Sequence, residues 1–487
     1  MPRSSMAYIC AMSAAYEVVV GLEVHIQLLT HSKLFCADAT GFGAAPNTQV
    51  SPISLAHPGT LPMLNAQAVE LAIRLGLALH CRIAPHSHFD RKHYFYPDLP
   101  KGYQTSQLTQ PILEGGFVHT PLGSVPIHHI HLEEDAGKSI HDADPDYSCI
   151  DLNRAGMPLL ELVTDPAIRS SDEAFAFLTE LRRLVRWLQV CDGNMEEGSL
   201  RCDANISIRP TGTSTLGTKV EVKNLNSIRN VKRAIDAEVA RQIALVSSGG
   251  RVVQETRGYD AASNTTLPQR EKEEANDYRY FPCPDLPPFT SAPAQIAAIA
   301  ASMPALPQAL QQKFTTAYQL PLQDAQVLTE ERSLAHYFEA LLAAGAAPKP
   351  SANWLIGPVK NWMNETQQDI EAFPLPARRL AAVIALVQEG TVNFSMAATR
   401  LLPALLAQPA EDPAALAAQL GIVQQRNTAD LDTWVNEVLQ AMPDKVKEYQ
   451  KGKKGLIGLF VGEVKKRSKG QADPQAVTKL LEEKLNA

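Results

Sequence analysis

Polar and apolar residues alternate in the segment YEVVVGLEVHIQL, residues 16–28. Because the side chains of a strand point alternately to its two faces, this pattern predicts a half-buried β-strand. One face would carry Val20, Leu22, Val24 and Ile26, and the other Gly21, Glu23, His25 and Gln27. Similar segments predict further strands over residues 125–135, 203–210 and 219–225.

Helical periodicity appears over residues 65–80, 170–190 and 227–249. The second of these helices should begin at Ser170 or Ser171, because acidic residues follow in its first turn. Residues 282–293 hold five prolines and end the strand-rich part of the chain, and the residues up to about 405 are rich in Ala and Leu and favour helices.

These patterns predict an α+β protein with an antiparallel sheet in its first domain. We expect a disordered leader over residues 1–15, a first domain over 16–293, an all-α domain over 294–407 and a small α-helical tail over 408–487. The leader does not have the pattern of a signal peptide.

Composition excludes several classes of protein. The chain has 487 residues, 45% of them hydrophobic, and no apolar run reaches the length of about 18 residues that a transmembrane helix needs. A net charge of −7 excludes nucleic-acid binding by bulk positive charge. Seven cysteines without a CxxC pair indicate free thiols and a cytoplasmic location.

The tail reverses this charge balance. Residues 444–487 hold 11 Lys and Arg residues against six Asp and Glu residues. Most of the excess lies in Lys451, Lys453, Lys454, Lys465, Lys466, Arg467 and Lys469. Such a cluster favours contacts with nucleic-acid phosphates, although each cation taken alone fits a solvated helix end.

Candidate chemistry lies on the predicted strands of the first domain. Glu23 and His25 share one strand face, HLEEDAGK at 131–138 brings three acids together, and Glu161 lies inside the apolar segment LLELV. Carboxylates and imidazole suit a hard cation, and nearby Arg and Lys suit phosphates. A solvated face or a charged turn would explain each segment alone. No P-loop and no protein-kinase motif occurs, so any ATP site would be built on another scaffold.

The loop DRKHYFYPDLPKGYQTSQ, residues 90–107, interleaves basic and aromatic residues. This composition fits stacking on bases and contacts with phosphates, and it fits equally an ordered loop held by packed tyrosines.

Ten segments in order over residues 16–288 carry a more specific signal. They include VGLEVHIQL, LAHPGTLPMLN, DRKHYFYPDLPKGYQTSQ, LEEDAGK, DLNRAGMPLLELVTDP, GNMEEGSLRCDANISIRP and YRYFPCPDLPP. Together with the tail segment LIGLFVGEVKKRSKG, they resemble the B subunits of the bacterial aspartyl-tRNA(Asn)/glutamyl-tRNA(Gln) amidotransferases, the GatB family.

This resemblance implies a cradle domain related to the glutamine synthetase fold, followed by two helical domains. It implies that the chain uses ATP and Mg²⁺ to phosphorylate the side-chain carboxylate of Glu-tRNA(Gln) or Asp-tRNA(Asn). Ammonia from the glutaminase of the complex, its A subunit, then forms the amide, and a small C subunit makes the complex a heterotrimer. The chain itself lacks an amidase signature, so we expect that it cannot use glutamine alone.

The resemblance also implies roles for individual residues. The metal ligands and catalytic residues would be Glu23, His25, Glu134 and Glu161, with Glu133 as the alternative to Glu134. Contacts with ATP, phosphate and the acyl group would come from Lys138, Arg154, Arg201 and Asp203. Contacts with tRNA would come from Lys453, Lys454, Lys465, Lys466 and Arg467.

Many members of this family hold a structural zinc ion on four cysteines, and this chain departs from that pattern. Between residues 34 and 59 it retains Cys36, while Ser51 and Ser54 stand where a CxxC pair would be. A tetrahedral site needs four N or S ligands, so we expect no zinc and a loop held by packing alone.

Two other functions fit parts of the sequence. A non-catalytic tRNA-binding adaptor would explain the basic tail but not the metal-capable residues on strands. A stand-alone ATP-dependent carboxylate–amine ligase would explain those residues but not the basic tail.

Overall fold

A computed structural model describes residues 15–141, 144–271, 278–424, 428–468, 472 and 474–486. The expected leader therefore lies outside the described residues except for Ala15, and Lys469 of the tail lies outside them too. The chain divides into two compact units, Met1–Leu306 and Pro307–Ala487. The four-segment division expected from the sequence stays a prediction.

The first unit holds the strands. They are β1 Tyr16–Gln27, β2 Arg82–Ile83, β3 His86–Ser87, β4 Asp90–His93, β5 Tyr103–Ser106, β6 Leu113–Glu114, β7 Phe117–Thr120, β8 Gly123–Glu134, β9 Lys138–Ile140, β10 Cys149–Asp151, β11 Pro158–Thr164, β12 Leu200–Pro210, β13 Val220–Leu225, β14 Glu255–Asp260, β15 Thr265–Glu271, β16 Phe281–Pro282 and β17 Phe289–Thr290. The predicted strands at 16–28, 125–135, 203–210 and 219–225 are confirmed, with shifts of a few residues at their ends.

A ten-stranded sheet forms the centre of this unit. Its order is β15-β14-β13-β12-β1-β11-β8-β6-β2, with β7 paired to β8. Most neighbours are antiparallel, as expected, but β13 and β14 run parallel, so the sheet is mixed. The helix between these two strands makes the parallel connection possible, because parallel strands need a long crossover.

The first strand lies in the middle of the sheet and shows the predicted alternation. Val20, Val24 and Ile26 are fully buried on one face. On the opposite face, His25 is directly between Glu161 of β11 and Arg201 of β12. Since cross-strand partners share a face, β1 aligns the polar residues of three strands on one side of the sheet.

The strand β8 contains a β-bulge that changes which side chains face which way. Val163 pairs with His129, but the next residue, Thr164, pairs with Ile127, so His128 is the extra residue. Ile127 is buried before the bulge, and Ile130 and Leu132 are buried after it. One inserted residue thus exchanges the two faces of the strand from His129 onward.

Four helices accompany the strands: α1 Ala66–Ala78, α2 Ser171–Trp187, α3 Ile228–Ser247 and α4 Pro293–Ser302. The three helices predicted for this part are confirmed, and Ser170 is the N-cap of α2, because its side chain accepts a hydrogen bond of 3.1 Å from Glu173 N. The helix α3 packs against α2 and against β12, β13 and β15.

A buried ionic network joins α3 to the edge of the sheet. Glu238 is fully buried, accepts 2.7 Å hydrogen bonds from Arg241 and Thr266, and lies 3.7 Å from Arg257. Each carboxylate oxygen therefore has a donor, which offsets the desolvation of a buried charge. Through these bonds, α3 fixes β14 and β15 in place.

The second unit is helical. Its helices are α5 Pro307–Thr316, α6 Leu322–Leu328, α7 Arg332–Ala343, α8 Pro348–Trp354, α9 Lys360–Thr366, α10 Ala377–Gln388, α11 Phe394–Met396, α12 Leu402–Ala407, α13 Pro413–Gln419, α14 Thr428–Ala441, α15 Pro443–Gln450, α16 Ile457–Arg467 and α17 Pro474–Asn486. Among the residues described in this unit no β-strand is assigned, as the sequence predicted.

The last four helices share a hydrophobic core of their own, which includes Val435, Phe460, Val464 and Leu481. Within the described part of the chain, no helix is both long enough and apolar enough to cross a membrane.

Candidate active site

A cluster of metal-capable side chains lies on the open face of the sheet. His25 of β1, Glu133 of β8 and Glu161 of β11 each offer one ligand atom, and these atoms lie within 4.8 Å of one another. The Nε2 atom of His25 is 3.3 Å from an oxygen of Glu161 and 3.6 Å from an oxygen of Glu133. The three adjacent strands β1, β11 and β8 therefore build one site whose ligands come from rigid backbone.

The charges within the cluster balance one another. Burial alone would favour a neutral His25, but the hydrogen bond and the charge of Glu161, with the charge of Glu133, raise its pKa to about 9. Burial also disfavours a charged Glu161, yet the hydrogen bond from His25 and the charges of His131 and His25 hold its pKa well below the usual range. At neutral pH, His25 is thus an imidazolium between two carboxylates.

Two residues that the sequence analysis did not assign to the metal site lie beside the cluster. The Nε2 atom of His131 is 3.5 Å from Glu133 and 3.6 Å from Glu161. Lys92 of β4 contacts the ring of Tyr278 at 5.0 Å and adds positive charge that acts on both carboxylates. The spacing His131-x-Glu133 within one strand was a signal for His131. Lys92 comes from a different sheet and lies in the segment 90–107, whose basic residues were considered for phosphate contacts rather than for this cluster.

Glu133 takes the position that the sequence analysis gave to Glu134. The Glu134 carboxylate lies on the opposite face, where it accepts hydrogen bonds from the Lys101 ammonium and from the backbone N of Thr105. The structure therefore brings Glu133, the alternative, and not Glu134 into the cluster, and the role of Glu133 as a metal ligand stays a prediction. The cause is the β-bulge at His128, which sets the facing of both residues.

Glu23 lies beside this cluster and belongs to a second acidic group. Its carboxylate accepts a 2.8 Å hydrogen bond from Asn205 Nδ2. Burial, and then the nearby charge of Glu161, raise the pKa of Glu23. Asp203, the cross-strand partner of Glu23, pairs with Lys223 at 3.1 Å.

The cations predicted to hold phosphate occupy different places. Arg201 donates a 2.8 Å hydrogen bond to Asp135, and Arg154 approaches the same carboxylate at 3.4 Å. The buried Nε atom of Arg201 has no hydrogen-bond partner among the described residues. Lys138 is exposed on the separate two-stranded sheet β9–β10, so the structure does not bring it to the main sheet face.

A cavity of about 220 Å³ opens at the end of β8. Its lining includes Lys101, Glu134 and Asp135. Leu61 and Met63, on either side of the lining residue Pro62, are exposed by 67% and 79%. Two exposed apolar side chains thus flank a residue that lines this cavity.

Polar contacts occur within residues 34–59, the loop that the sequence analysis expected to be held by packing alone. Ser54 donates a 2.5 Å hydrogen bond to Asp38, and Ser51 N donates one of 2.9 Å to Ser54. The fully buried Lys33 has its ammonium 3.9 Å from Asp38. This set of donors, with Cys36 as its thiol, does not supply the four N or S ligands of a structural zinc site.

The basic residues of the tail lie at its surface. Lys465, Lys466 and Arg467 are exposed in the last turn of α16, where cations suit the helix C-terminus. Lys453 pairs with Glu448 at 3.0 Å, and Lys454 lies 4.3 Å from the Tyr449 ring.

Comparison with known proteins adds to this geometry. Residues 18–297 match the family model of the GatB/GatE catalytic domain, and residues 336–485 match that of the GatB domain. The chain is 47% identical over 490 residues to the B subunit of the aspartyl/glutamyl-tRNA(Asn/Gln) amidotransferase of Thermosynechococcus vestitus, covering 98% of each chain. It is 48% identical over 486 residues to the corresponding protein of Janthinobacterium sp. (strain Marseille), covering 97% of this chain and 100% of that one.

Proposed function

This chain belongs to the GatB family, the B subunits of the aspartyl/glutamyl-tRNA(Asn/Gln) amidotransferases, and we propose its function on that basis. It is accordingly part of an enzyme complex that forms C–N bonds on aminoacyl-tRNA, and its role is tRNA-dependent transamidation. The chain's own share, in this proposal, is to activate the side-chain carboxylate of Glu-tRNA(Gln) or Asp-tRNA(Asn) with ATP.

The observation that carries this proposal is the cluster of His25, Glu133 and Glu161. Two carboxylates and an imidazole converging within 4.8 Å fit a divalent cation such as Mg²⁺. Glu23 lies outside this group but near enough for the charge of Glu161 to raise its pKa. When bound, this ion would neutralise phosphate charge beside the reacting carboxylate.

The chemistry requires two displacements. A carboxylate is a poor electrophile because its oxygen is a poor leaving group, so one of its oxygens first attacks the γ-phosphorus of ATP and ADP leaves. Ammonia then attacks the carbon of the acyl phosphate, phosphate leaves, and the nitrogen loses a proton to give the amide. Both steps depend mainly on positioning and on stabilising negative charge.

Cations around the cluster suit the phosphates. Arg201 lies beside His25 on the sheet and has a buried Nε without a partner in the described chain, so an anion would satisfy it. Lys92 is held by Tyr278 next to Glu133 and supplies positive charge from the other side. Arg154 and Asp203 help by holding Asp135 and Lys223 in position.

Ammonia would enter from the cavity at the end of β8, because its lining residue Asp135 pairs with Arg201, the cross-strand partner of His25. Leu61 and Met63, the chain neighbours of its lining residue Pro62, are exposed and apolar, which is typical of protein contacts. We propose that the glutaminase of the complex, its A subunit, binds at this exposed segment, and the small C subunit would complete the assembly. The exposed cations Lys465, Lys466 and Arg467 would bind the phosphates of the tRNA.

The same observations weigh against the two rival functions. A non-catalytic adaptor gives no reason for a buried and a half-buried carboxylate to converge on His25. A ligase of free amino acids gives no reason for a compact helical module with exposed cations.

The direct test supplies the full chain with misacylated tRNA, ATP, Mg²⁺ and ammonium, and measures amidated tRNA. We expect product that requires both ATP and an intact cluster, so that Glu161→Gln gives none while the variant still binds tRNA. Product formation at the normal rate by Glu161→Gln would refute the assignment.

A further inference from the structure

Four consecutive polar residues are buried at the end of β5. Gln104, Thr105, Ser106 and Gln107 are each exposed by 7% or less. Buried polar groups cost free energy unless they form hydrogen bonds, so a run of four of them needs partners. Each of the four forms a hydrogen bond with one of residues 132–134, the end of β8.

The end of β8 lacks a paired strand on one of its edges. β11 pairs with β8 as far as Glu134, but the pairing of β6 on the other edge ends at Ile130. Buried backbone groups beyond Ile130 on that edge therefore need partners other than a neighbouring strand.

Two glutamine side chains supply these partners. The Oε1 atom of Gln107 accepts a 3.0 Å hydrogen bond from Leu132 N, and the Nε2 atom of Gln104 donates one of 2.8 Å to Glu134 O. A side-chain amide offers the same kinds of donor and acceptor as the backbone, so the two side chains take the place of a strand. They fix the backbone of β8 on both sides of Glu133.

Ser106 lies between the two glutamines in sequence and contacts the Glu133 carboxylate itself. Its Oγ atom donates a 3.3 Å hydrogen bond to Glu133 Oε2. The same carboxylate lies 3.6 Å from His25 and 3.5 Å from His131, so the hydroxyl is the closest of these three groups and the one without charge.

A neutral donor at this place suits a carboxylate that binds a cation. A bound divalent ion repels a protonated imidazole but not a hydroxyl. The hydroxyl of Ser106 can therefore keep its bond to one oxygen of Glu133 while the carboxylate binds an ion. Groups that hydrogen-bond to a ligating carboxylate fix its orientation, and their loss typically costs about tenfold to a hundredfold in metal affinity.

We propose that Ser106 is a positioning residue that orients Glu133 toward the metal site; the inference rests on the proposed function. Ser106 belongs to β5 in the separate sheet β16-β4-β5, and it acts on the site only through Glu133. The glutamine contacts on either side of Glu133 set the register of β5 against β8, so that Ser106 meets Glu133 rather than a neighbour.

The test measures the Kd of Mn²⁺, a paramagnetic probe for the Mg²⁺ site, by electron paramagnetic resonance on the full chain. Ser106→Ala removes the hydroxyl, and Ser106→Thr retains it in a β-branched side chain that suits a strand. The matched control is Ser291→Ala, because Ser291 is as buried as Ser106, at 3%, and its hydroxyl has no hydrogen-bond partner among the described residues.

We expect Ser106→Ala to raise the Kd of Mn²⁺ by about tenfold, and Ser106→Thr to stay within about threefold of the unaltered chain. Ser291→Ala should leave the Kd unchanged. In amidation assays with ammonium, excess Mg²⁺ should restore the maximal rate of Ser106→Ala, because the hydroxyl acts on ion binding and not on the substrate.

An unchanged Kd in Ser106→Ala would overturn the inference. An equal rise in Ser106→Ala and Ser291→Ala would overturn it too, because it would indicate a general loosening of the unit. If the unaltered chain binds no Mn²⁺, the proposed function fails together with this inference. If the unaltered chain binds Mn²⁺ and Ser106→Ala binds it as tightly, only the positioning role is wrong.

Discussion

Replacing Glu133 by Gln tests the site most directly, because its neighbour Glu134 provides a control with the same chemistry. The two carboxyls are adjacent in the chain, and both are nearly buried, with 2% and 4% exposure. They lie on opposite faces of β8, one beside His25 and the other beside Lys101. The two substitutions therefore remove the same charge from two different environments.

The size of the effect follows from the geometry. Glu133 lies 3.6 Å from the imidazole of His25, which sets the scale of distances inside the cluster. Two unit charges about 4 Å apart interact by about 4 kcal/mol at an effective dielectric constant of about 20. We therefore expect Glu133→Gln to weaken binding of a divalent ion by roughly a thousandfold. Glu134→Gln should change it by less than about tenfold.

The assay is a calorimetric titration of each variant with Mg²⁺ and ATP, with circular dichroism to verify that each is folded. An independent readout is the pKa of His25, which is about 9 partly because of the charge of Glu133. It should fall in Glu133→Gln and remain in Glu134→Gln. Equal loss of metal affinity in the two variants would refute the facing of β8 on which the site is built.

Three further outcomes are expected. Divalent-ion binding should strengthen as the pH rises towards 9, because the raised pKa of His25 means that the ion displaces a proton, and a pH-independent Kd would contradict the charge balance. In the metal-free chain, the stabilisation of the fold by this imidazolium is complete below about pH 6.5 and is lost as the pH rises through 9. Ser54→Ala should lower the free energy of unfolding by about 1 kcal/mol in urea titrations, because Asp38 loses a hydrogen bond, and no change would assign the loop's stability to packing. Removal of residues 425–487 takes away the last four helices with their shared core. It should raise the Michaelis constant for aminoacyl-tRNA and flatten the dependence of that constant on salt concentration, while ATP binding persists. An unchanged salt dependence would show that the tail cations are merely solvated.

Much of the fold could be predicted because the local pattern agrees with the tertiary structure. The alternation in β1 requires one buried and one open face, and a central strand of a one-sided sheet satisfies it. The helix α2 has its N-cap at Ser170, one of the two serines that the sequence indicated. The parallel pairing of β13 and β14 was not predictable in this way, because it depends on where α3 docks rather than on either strand's pattern.

The membership of the metal-capable cluster could not be predicted in full from local patterns. If the alternation of Val125 and Ile127 continued without interruption, Glu134 would point to the open face. The bulge at His128 reverses this, and nothing in the local sequence requires a bulge there. Its position is set by the pairing with β11, which lies about thirty residues further along the chain. Lys92 joins the cluster through a different sheet, so only the folded chain reveals it.

The position of β1 has a consequence for how the protein is made. A ribosome completes this strand early, yet its two partners in the sheet are β11 and β12, and the hydrogen bond from Leu22 to Thr164 joins residues 142 apart in sequence. Until β11 and β12 have left the exit tunnel, the segment VVVGLEVHI has both backbone edges unsatisfied. The sheet can therefore assemble only after β11 and β12 have been synthesised, and until then the nascent chain exposes an unpaired, aggregation-prone segment. We therefore expect the yield of folded protein to depend strongly on chaperones that shield nascent chains, because the active-site strand β1 is synthesised long before its two partners.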